Sequence, residues 1–600
     1  MDCTLGAGDA ASFVGFPWTS SPRRAGDDHW TVVARYGSKT APSPRATADR
    51  RPPWLAQYPA SVPAALRPRH ANLLEALADQ VRRRPEEPAL RYFGRTLSWA
   101  ELDAHARALA AGLAARGVAA GDRVALLLQN VPQFAIATFA TWRLGAVVLP
   151  LNPMLRAPEV RYHLEDSGAR ALVALDSLYR DAGAAGAQGT GVRCVVATGD
   201  LDLAGNDPAP ALVDRTAQPA PGADRFLDLL EAHHGATLPE PELGELAMLA
   251  YTSGTTGRPK GAMVTHANLA HQAEVYRVWD GITSEDRIFG AAPLFHITGF
   301  VGHLGLSALS GAPLYLAHRF EGGETLRQIE RHRCTFTVCA ITAYLAMLQA
   351  LDSEPHDLSS LRVAQSGGAP VSPATVQHFK ERTGVEIRNI YGLTETTSPS
   401  HAAPLDRPTP VDPDFGALSV GVPVPGHEQR VVDLETGAEV EPGELGELWT
   451  RGPGIVAGYW QRPEATAESI TDGFLHTGDV GRVDEAGWFY LVDRLKDMIN
   501  VSGYKVWPRE VEDYLYEHPA VAEVAVVGAP DPYRGETVVA FVALRSGVTA
   551  TADELLGFCR QRMAAYKRPR RIELVPEVPK TASGKFLRRQ LRGRISGLGG

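Results

Sequence analysis

Cysteine is scarce in this 600-residue chain: Cys3, Cys194, Cys334, Cys339 and Cys559 are scattered along it. Five dispersed thiols fit a reducing cytosol, where they serve as small core residues. No CxxC pair or His/Cys cluster has zinc-ligand spacing. Positive charge is not in surplus, since 60 Lys and Arg stand against 69 Asp and Glu for a net charge of −9. That balance argues against general nucleic-acid binding. Long apolar runs are also missing. Residues 134–149 come closest, but Thr, Trp-Arg and Gly interrupt them, so no membrane span is predicted. The N-terminus lacks the basic segment and short apolar core of a signal peptide. No internal repeat of fixed period is present. These absences predict a soluble cytoplasmic protein.

What is present reads as more than one domain, because 600 residues exceed a single compact core. Residues 1–65 are rich in Arg, Pro, Ser and Ala and cannot bury much apolar surface alone. They form either a mobile arm or a strap, and Trp30, Trp54 and Tyr58 favour a partly docked strap. From Leu73 onward, helix patterns alternate with short apolar strands. Ser98 and Glu101 make a capping box for a helix with Leu102, Ala106, Leu109 and Leu113 on one face. Strands are predicted at 124–128, 146–149, 171–175, 194–197, 246–251, 314–317, 336–339 and 385–390. The alternation predicts an α/β fold, with a large domain over 66–494 whose mixed or parallel sheets are flanked by helices. After about Leu491 the pattern changes. Pro508 opens a short helix to about Glu517, strands follow at 521–527 and 538–544, and Thr551 with Glu554 caps a helix to about Ala565. A basic tail closes the chain. Residues 495–600 are therefore predicted to be a small, mobile α+β domain.

The densest chemical signal runs from Tyr251 to Gly261, as Tyr-Thr-Ser-Gly-Thr-Thr-Gly-Arg-Pro-Lys-Gly. Gly254, Gly257 and Gly261 let backbone N–H groups approach an anion closely. Thr252, Ser253, Thr255 and Thr256 add hydroxyls, and Lys260 adds a mobile cation. Polyphosphate suits this set. The spacing is not a Walker loop, and no GxGxxG follows a strand.

The segment resembles the signature of the acyl-adenylate-forming (AMP-binding) superfamily, which includes acyl-CoA synthetases, firefly-type luciferases and peptide-synthetase adenylation domains. The resemblance spans roughly residues 70–590 and looks closest to bacterial medium- and long-chain fatty acid–CoA ligases. It implies ATP-dependent activation of a fatty or aromatic acid to acyl-AMP with release of pyrophosphate, then transfer to coenzyme A. By the same resemblance, Gly367, Gly368 and Ala369 border adenine, and Tyr391 of Tyr391-Gly392-Leu393-Thr394-Glu395 stacks on it. Thr394 would contact the α-phosphate. Glu395, with Thr256, would hold Mg2+, a hard cation that takes carboxylate and phosphate oxygens. Asp479 would accept the ribose hydroxyls and Arg494 would reach ribose or phosphate. The family more often has Gly at Asp493, which leaves the charge around Arg494 open.

Lys496 aligns with the hinge about which the small domain turns. Lys585, in Pro579-Lys-Thr-Ala-Ser-Gly-Lys585, is the candidate catalytic lysine, because a cation stabilises the charge developing between carboxylate and α-phosphate. Ser502, Gly503, Tyr504 and Lys505 resemble the segment that faces the acceptor in a second domain orientation. His296 either sits near the reacting carboxylate or is a core histidine. Phe300, Gly302 and their small, apolar neighbours form either an acyl channel or a packed helix. No Asp to hold an amino acid's ammonium is evident in these pocket segments. An alternative keeps adenylation but changes the substrate or acceptor, to carrier-protein loading, amide formation or nitrite activation for diazotisation. A non-catalytic nucleotide-binding protein would be expected to have lost Lys585 or Glu395. The oligomeric state, a homodimer included, is open.

Overall fold

The computed structural model describes residues 52–210, 213, 218–252, 258–369, 371–502, 504–531, 533–581 and 585–596. Two twisted sheets dominate the first four hundred of these. In the seven-stranded sheet, the order is Asp224–Arg225, Cys194–Thr198, Ala171–Leu175, Arg123–Leu127, Val147–Pro150, Leu246–Thr252, Lys260–Thr265. Neighbours are parallel except the last two, which are antiparallel. The nine-stranded sheet runs Val422–Pro423, His401–Ala402, Ile387–Tyr391, Val363–Ser366, Phe336–Cys339, Ile288–Phe289, Leu314–Leu316, Pro88–Tyr92, Arg95–Ser98. Its middle is parallel and both edges are antiparallel.

Helices fill the space between the sheets and cover their outer faces. The helix Trp99–Ala114 carries the expected capping box and buries Leu102, Ala106, Leu109 and Leu113. Pro132–Arg143 is buried at every position, so it shows no apolar stripe; it shares one core with strands of both sheets. Ala157–Ser167 packs on the outer face of the seven-stranded sheet. Gly322–His332, Ile341–Leu351 and Pro373–Thr383 pack outside the nine-stranded one. Most predicted strands fall within two residues of their observed bounds, because buried parallel strands are short continuous apolar runs.

An antiparallel sheet follows that the sequence pattern does not separate from the large domain. It joins Glu428–Val432, Gly446–Arg451, Phe474–Val483 and Ile470–Thr471, with Phe489–Arg494 on the other side of Phe474–Val483. The chain leaves it through the turn Leu495–Asp497 and enters the last sheet at Ile499–Val501. That sheet continues with Tyr504–Val506, Val521–Asp531, Gly535–Leu544 and Arg571–Leu574, and it has apolar clusters of its own. The second capping box, Thr551 with Glu554, is present, and its helix ends at Arg562, earlier than expected. Among the described residues, no helix is long and apolar enough to cross a membrane.

Trp30 lies outside the described residues. Residues 52–65 lie along the body as a strap. Within it Pro53–Gln57 is a short 3-10 turn, and the Tyr58 hydroxyl donates to the Pro423 carbonyl at 2.6 Å.

Candidate active site

The candidate site gathers residues from the strands Ile387–Tyr391, Phe474–Val483 and Phe489–Arg494 and from the turn after Tyr391. Tyr391 closes the strand Ile387–Tyr391, and its hydroxyl donates to Asp479 Oδ2 at 2.7 Å. Asp479 Oδ1 pairs with Arg494 Nε at 3.0 Å, and the two residues are cross-strand partners. Both carboxylate oxygens of Asp479 are therefore engaged within the protein. Burial and the neighbouring carboxylate hold the Tyr391 phenol neutral, well above its usual range. The strand segment that carries Asp479 is itself fixed: Gly478 N–H donates to Glu447 Oε1 at 2.8 Å, and Asp479 N–H to Thr477 Oγ1 at 3.1 Å.

Thr394 and Glu395 lie half-buried in a 3-10 turn that begins one residue beyond Gly392, after Leu393. The turn is tight around Gly392, where a Cβ would meet Thr396 Oγ1 at 3.0 Å and Pro399 Cα at 3.1 Å. Glu395 Oε1 accepts from the Tyr459 hydroxyl at 2.7 Å, and its carbonyl accepts from Val456 N–H at 3.0 Å. The Lys260 ammonium lies 4.8 Å from the centre of the same Tyr459 ring. Tyr459 thus links two residues expected at the site, and sequence reasoning missed it. Its only signal was an aromatic in Gly458-Tyr459-Trp460, which reads as core.

Thr252 and Lys260 are cross-strand partners, the last and first residues of the antiparallel strands Leu246–Thr252 and Lys260–Thr265; after a Walker loop a helix would follow instead. Ser253, Gly254, Thr255, Thr256 and Gly257 lie outside the described residues.

Lys585 reaches this cluster from the last domain. Its Cε would lie 3.2 Å from a Cβ on Gly368, whose φ of +79° and lack of side chain leave that path open. The loop bearing it is closed by Thr581 N–H donating to the Lys585 carbonyl at 2.7 Å and Lys585 N–H donating to Thr581 Oγ1 at 3.0 Å. Surface area leaves Lys585 half-buried, yet protein surrounds the amine closely. Desolvation, then Arg494, lowers its pKa to about 8, while Asp479 and Glu395 oppose the shift and Lys496 adds to it. His296 is lowered to about 3 by burial and by Lys585. At neutral pH the lysine is cationic and the imidazole neutral. Gly367 is packed against Ile390, where a Cβ would fall 2.8 Å from Cγ1, and Ala369 is half-buried beside it.

The loop before His296 hangs on Asn130. This buried side chain donates to the carbonyls of Gly290 and Ala292, both at 3.0 Å, and accepts from Leu294 N–H at 2.8 Å. A lone Asn between an apolar strand and Pro132 was the only trace of it in the sequence. Beyond His296, Thr298 Oγ1 and the Tyr276 hydroxyl each lie 3.4 Å from Ser398 Oγ.

The expected pocket residues Phe300 and Gly302 sit elsewhere. Phe300 is fully buried, edge-on to Phe134 and Trp142 at 6.1 and 5.9 Å. A Cβ on Gly302 would meet Val338 Cγ1 at 3.0 Å and the Tyr276 ring at 3.1 Å. Both lie in the continuous helical stretch Phe300–Gly305 and Leu306–Ser310, whose Phe300, Val301, Leu304 and Leu306 belong to the main apolar core.

Asp493 resolves the local charge near Arg494. Its two oxygens accept from Arg494 N–H at 2.7 Å and from Arg509 N–H at 2.9 Å, and burial pushes its pKa up to about 6. Lys496 lies in the turn between the two sheets, with its pKa lowered by burial and by Arg494. Gly503 lies outside the described residues. Ser502, Tyr504 and Lys505 are exposed; Tyr504 stacks on Tyr566 at 4.7 Å, and Lys505 borders a separate cavity of about 320 Å³ with Trp507 and Tyr566.

Comparison with known proteins agrees with this architecture. Residues 77–460 match the family model described as AMP-binding enzyme, and residues 510–585 match the AMP-binding enzyme C-terminal domain. The chain is similar to a long-chain-fatty-acid–CoA ligase of Bacillus subtilis (strain 168), at 35% identity over 90% of this chain and 97% of that protein. It is also similar to a feruloyl-CoA synthase of Amycolatopsis sp, at 38% identity over 86% and 97%. Among solved structures, an anthranilate CoA ligase in complex with anthranoyl-AMP superposes with a TM-score of 0.78 at 30% identity, over 89% of this chain and 98% of that one. ATP-bound MatB from Rhodopseudomonas palustris gives 0.76 at 29% identity, over 87% and 98%. This chain belongs to the AMP-binding enzyme family. Within it, the chain is an AMP-forming ligase with a large N-terminal and a smaller C-terminal domain.

Proposed function

We propose that the protein activates a carboxylic acid, fatty or aromatic, as acyl-AMP and passes the acyl group to coenzyme A. The observation that carries this reading is the Lys585 amine, brought from one domain into a cluster of Asp479, Arg494 and Glu395 on another. Attack of a carboxylate oxygen on the α-phosphate of ATP builds negative charge between the two groups. A desolvated ammonium placed there stabilises it more than one in water would. Thr394 offers a hydroxyl to the same phosphate. Tyr391, Gly367, Gly368 and Ala369 form the wall against which adenine lies, and Asp479 with Arg494 faces the ribose. The Gly/Thr-rich segment from Thr252 to Lys260 takes the pyrophosphate that leaves.

Among the described residues, no group of three His, Cys, Asp or Glu could hold a metal ion alone. Glu395, with one oxygen held by Tyr459, is a single hard ligand of the kind Mg2+ uses when substrate phosphates complete its shell. The bound cation would offset phosphate charge. His296, held neutral by burial, borders the carboxylate without competing for its charge. Lys496 serves as the pivot, and Ser502, Gly503, Tyr504 and Lys505 as the acceptor-side face after rotation.

The test incubates the protein with ATP, Mg2+ and panels of acids, nitrite with aryl amines included, with and without coenzyme A. Acyl-CoA, AMP and pyrophosphate are the expected products by mass spectrometry. A stable product formed equally well without coenzyme A would replace the acceptor named here.

A further inference from the structure

The strap of residues 52–65 is fitted to the body at several points. Gln57 Nε2 donates to the Ala486 carbonyl at 3.1 Å, and Gly426 N–H donates to the Ala64 carbonyl at 3.0 Å. The Tyr58 ring meets Trp279 edge-on at 5.2 Å. At Gly487, with φ +86°, a Cβ would fall 2.4 Å from Trp54 N, so the strap backbone occupies the place a side chain would take.

From Trp54 a line of rings runs inward. Trp54 meets Phe489 at 6.1 Å and 64°, Phe489 meets His401 at 4.9 Å and 62°, and His401 meets Tyr391 at 5.4 Å and 49°. Phe489 and His401 are fully buried, and His401 is held neutral by burial, so it acts as an aromatic spacer. The line ends at the Tyr391–Asp479–Arg494 chain of polar contacts. Tilted and edge-on rings in close contact fix one another's orientation, and a densely packed interior passes a displacement on to its neighbours.

We propose that Trp54 is a positioning residue for the nucleotide site, bracing Tyr391 and Asp479 through Phe489 and His401. The strap would then be part of the ATP site, although it lies far away in sequence. The proposal rests on the reading of Tyr391 and Asp479 as nucleotide contacts.

Trp54→Ala is compared with wild type by ATP–pyrophosphate exchange and by calorimetric titration of ATP. The expected result is a rise of about three- to tenfold in both KM and Kd for ATP, with kcat and KM for the acid within about twofold. Trp54→Phe should restore most of the loss. A purely structural role would lower thermal stability and move the two KM values together. That result, or an unchanged Kd for ATP, overturns the brace. If Trp54→Ala does not fold, Trp54→Leu, which keeps apolar bulk without the ring, is judged by the same outcomes. The two readings fail separately: a wild type that exchanges with no acid sinks adenylation, while its ATP titration against the variant still decides the brace.

Discussion

The two sides of the candidate site are built differently. On the nucleotide side, Tyr391, Asp479 and Arg494 form one chain of polar contacts, Tyr459 and Glu395 form another, and the Lys585 amine feels the charges of Asp479, Glu395 and Arg494; all are drawn from distant parts of the chain. On the side beyond His296, residues 300–306 are buried and, His303 apart, apolar, with Phe300, Val301 and Leu306 at zero exposure. Polyphosphate and ribose demand fixed donors and charges, whereas an acyl or aryl group asks only for shape. The first kind of demand leaves a pattern of residue types; the second leaves a pattern indistinguishable from core packing.

If that contrast holds, perturbations should separate by side. Lys585→Ala should lower ATP–pyrophosphate exchange by about 10²- to 10³-fold, read at saturating ATP and acid. Exchange should also fall as pH rises through about 8. Burial lowers the Lys585 pKa from its ordinary value, and only the cation stabilises the developing charge, so activity belongs to the low-pH side. Beyond that point the loss should approach about tenfold per pH unit, and Lys585→Arg, whatever its rate, should lack this limb. Tyr459→Phe removes the hydroxyl that holds Glu395 Oε1 and should cost several-fold in rate, with a higher half-saturating Mg2+ concentration in the same assay. On the other side, Phe300→Ala should destabilise the fold by about 3–5 kcal/mol, measured by denaturant unfolding, while KM for ATP stays near wild type. A selective rise in KM for ATP in Phe300→Ala would erase the distinction between the two sides.

The sequence carried most of the α/β architecture, because strands such as Arg123–Leu127 and Ala171–Leu175 are buried on both faces and read as plain apolar runs. Capping chemistry did as much for the helices at Ser98 and Thr551. The buried helix Pro132–Arg143 was harder to read, since burial on every side erases its periodicity. Glu395 and Asp479 stand in dense motifs and were singled out by their resemblance to the family's motifs. Tyr459 and Asn130 were not, because each acts through a single contact set with a segment far off in the chain, and nothing local to either marks it. Asp493 was visible as an oddity, but only the fold shows that its carboxylate ties Arg494 to Arg509 across the turn between domains. At Phe300 and Gly302 the apolar, small-residue stretch after His296 read equally as an acyl channel or a packed helix, because both ask for the same residue types; the fold adds the tight packing of these two residues against Phe134 and Val338.

The central claim is that Lys585, delivered by the C-terminal domain, stabilises charge in the adenylation step. It is tested most directly by running both half-reactions on Lys585→Ala. With an acid that the wild type accepts, the variant should lose ATP–pyrophosphate exchange, yet still transfer the acyl group from presynthesised acyl-AMP to coenzyme A at a rate within about tenfold of wild type. Exchange persisting near the wild-type rate would contradict the account.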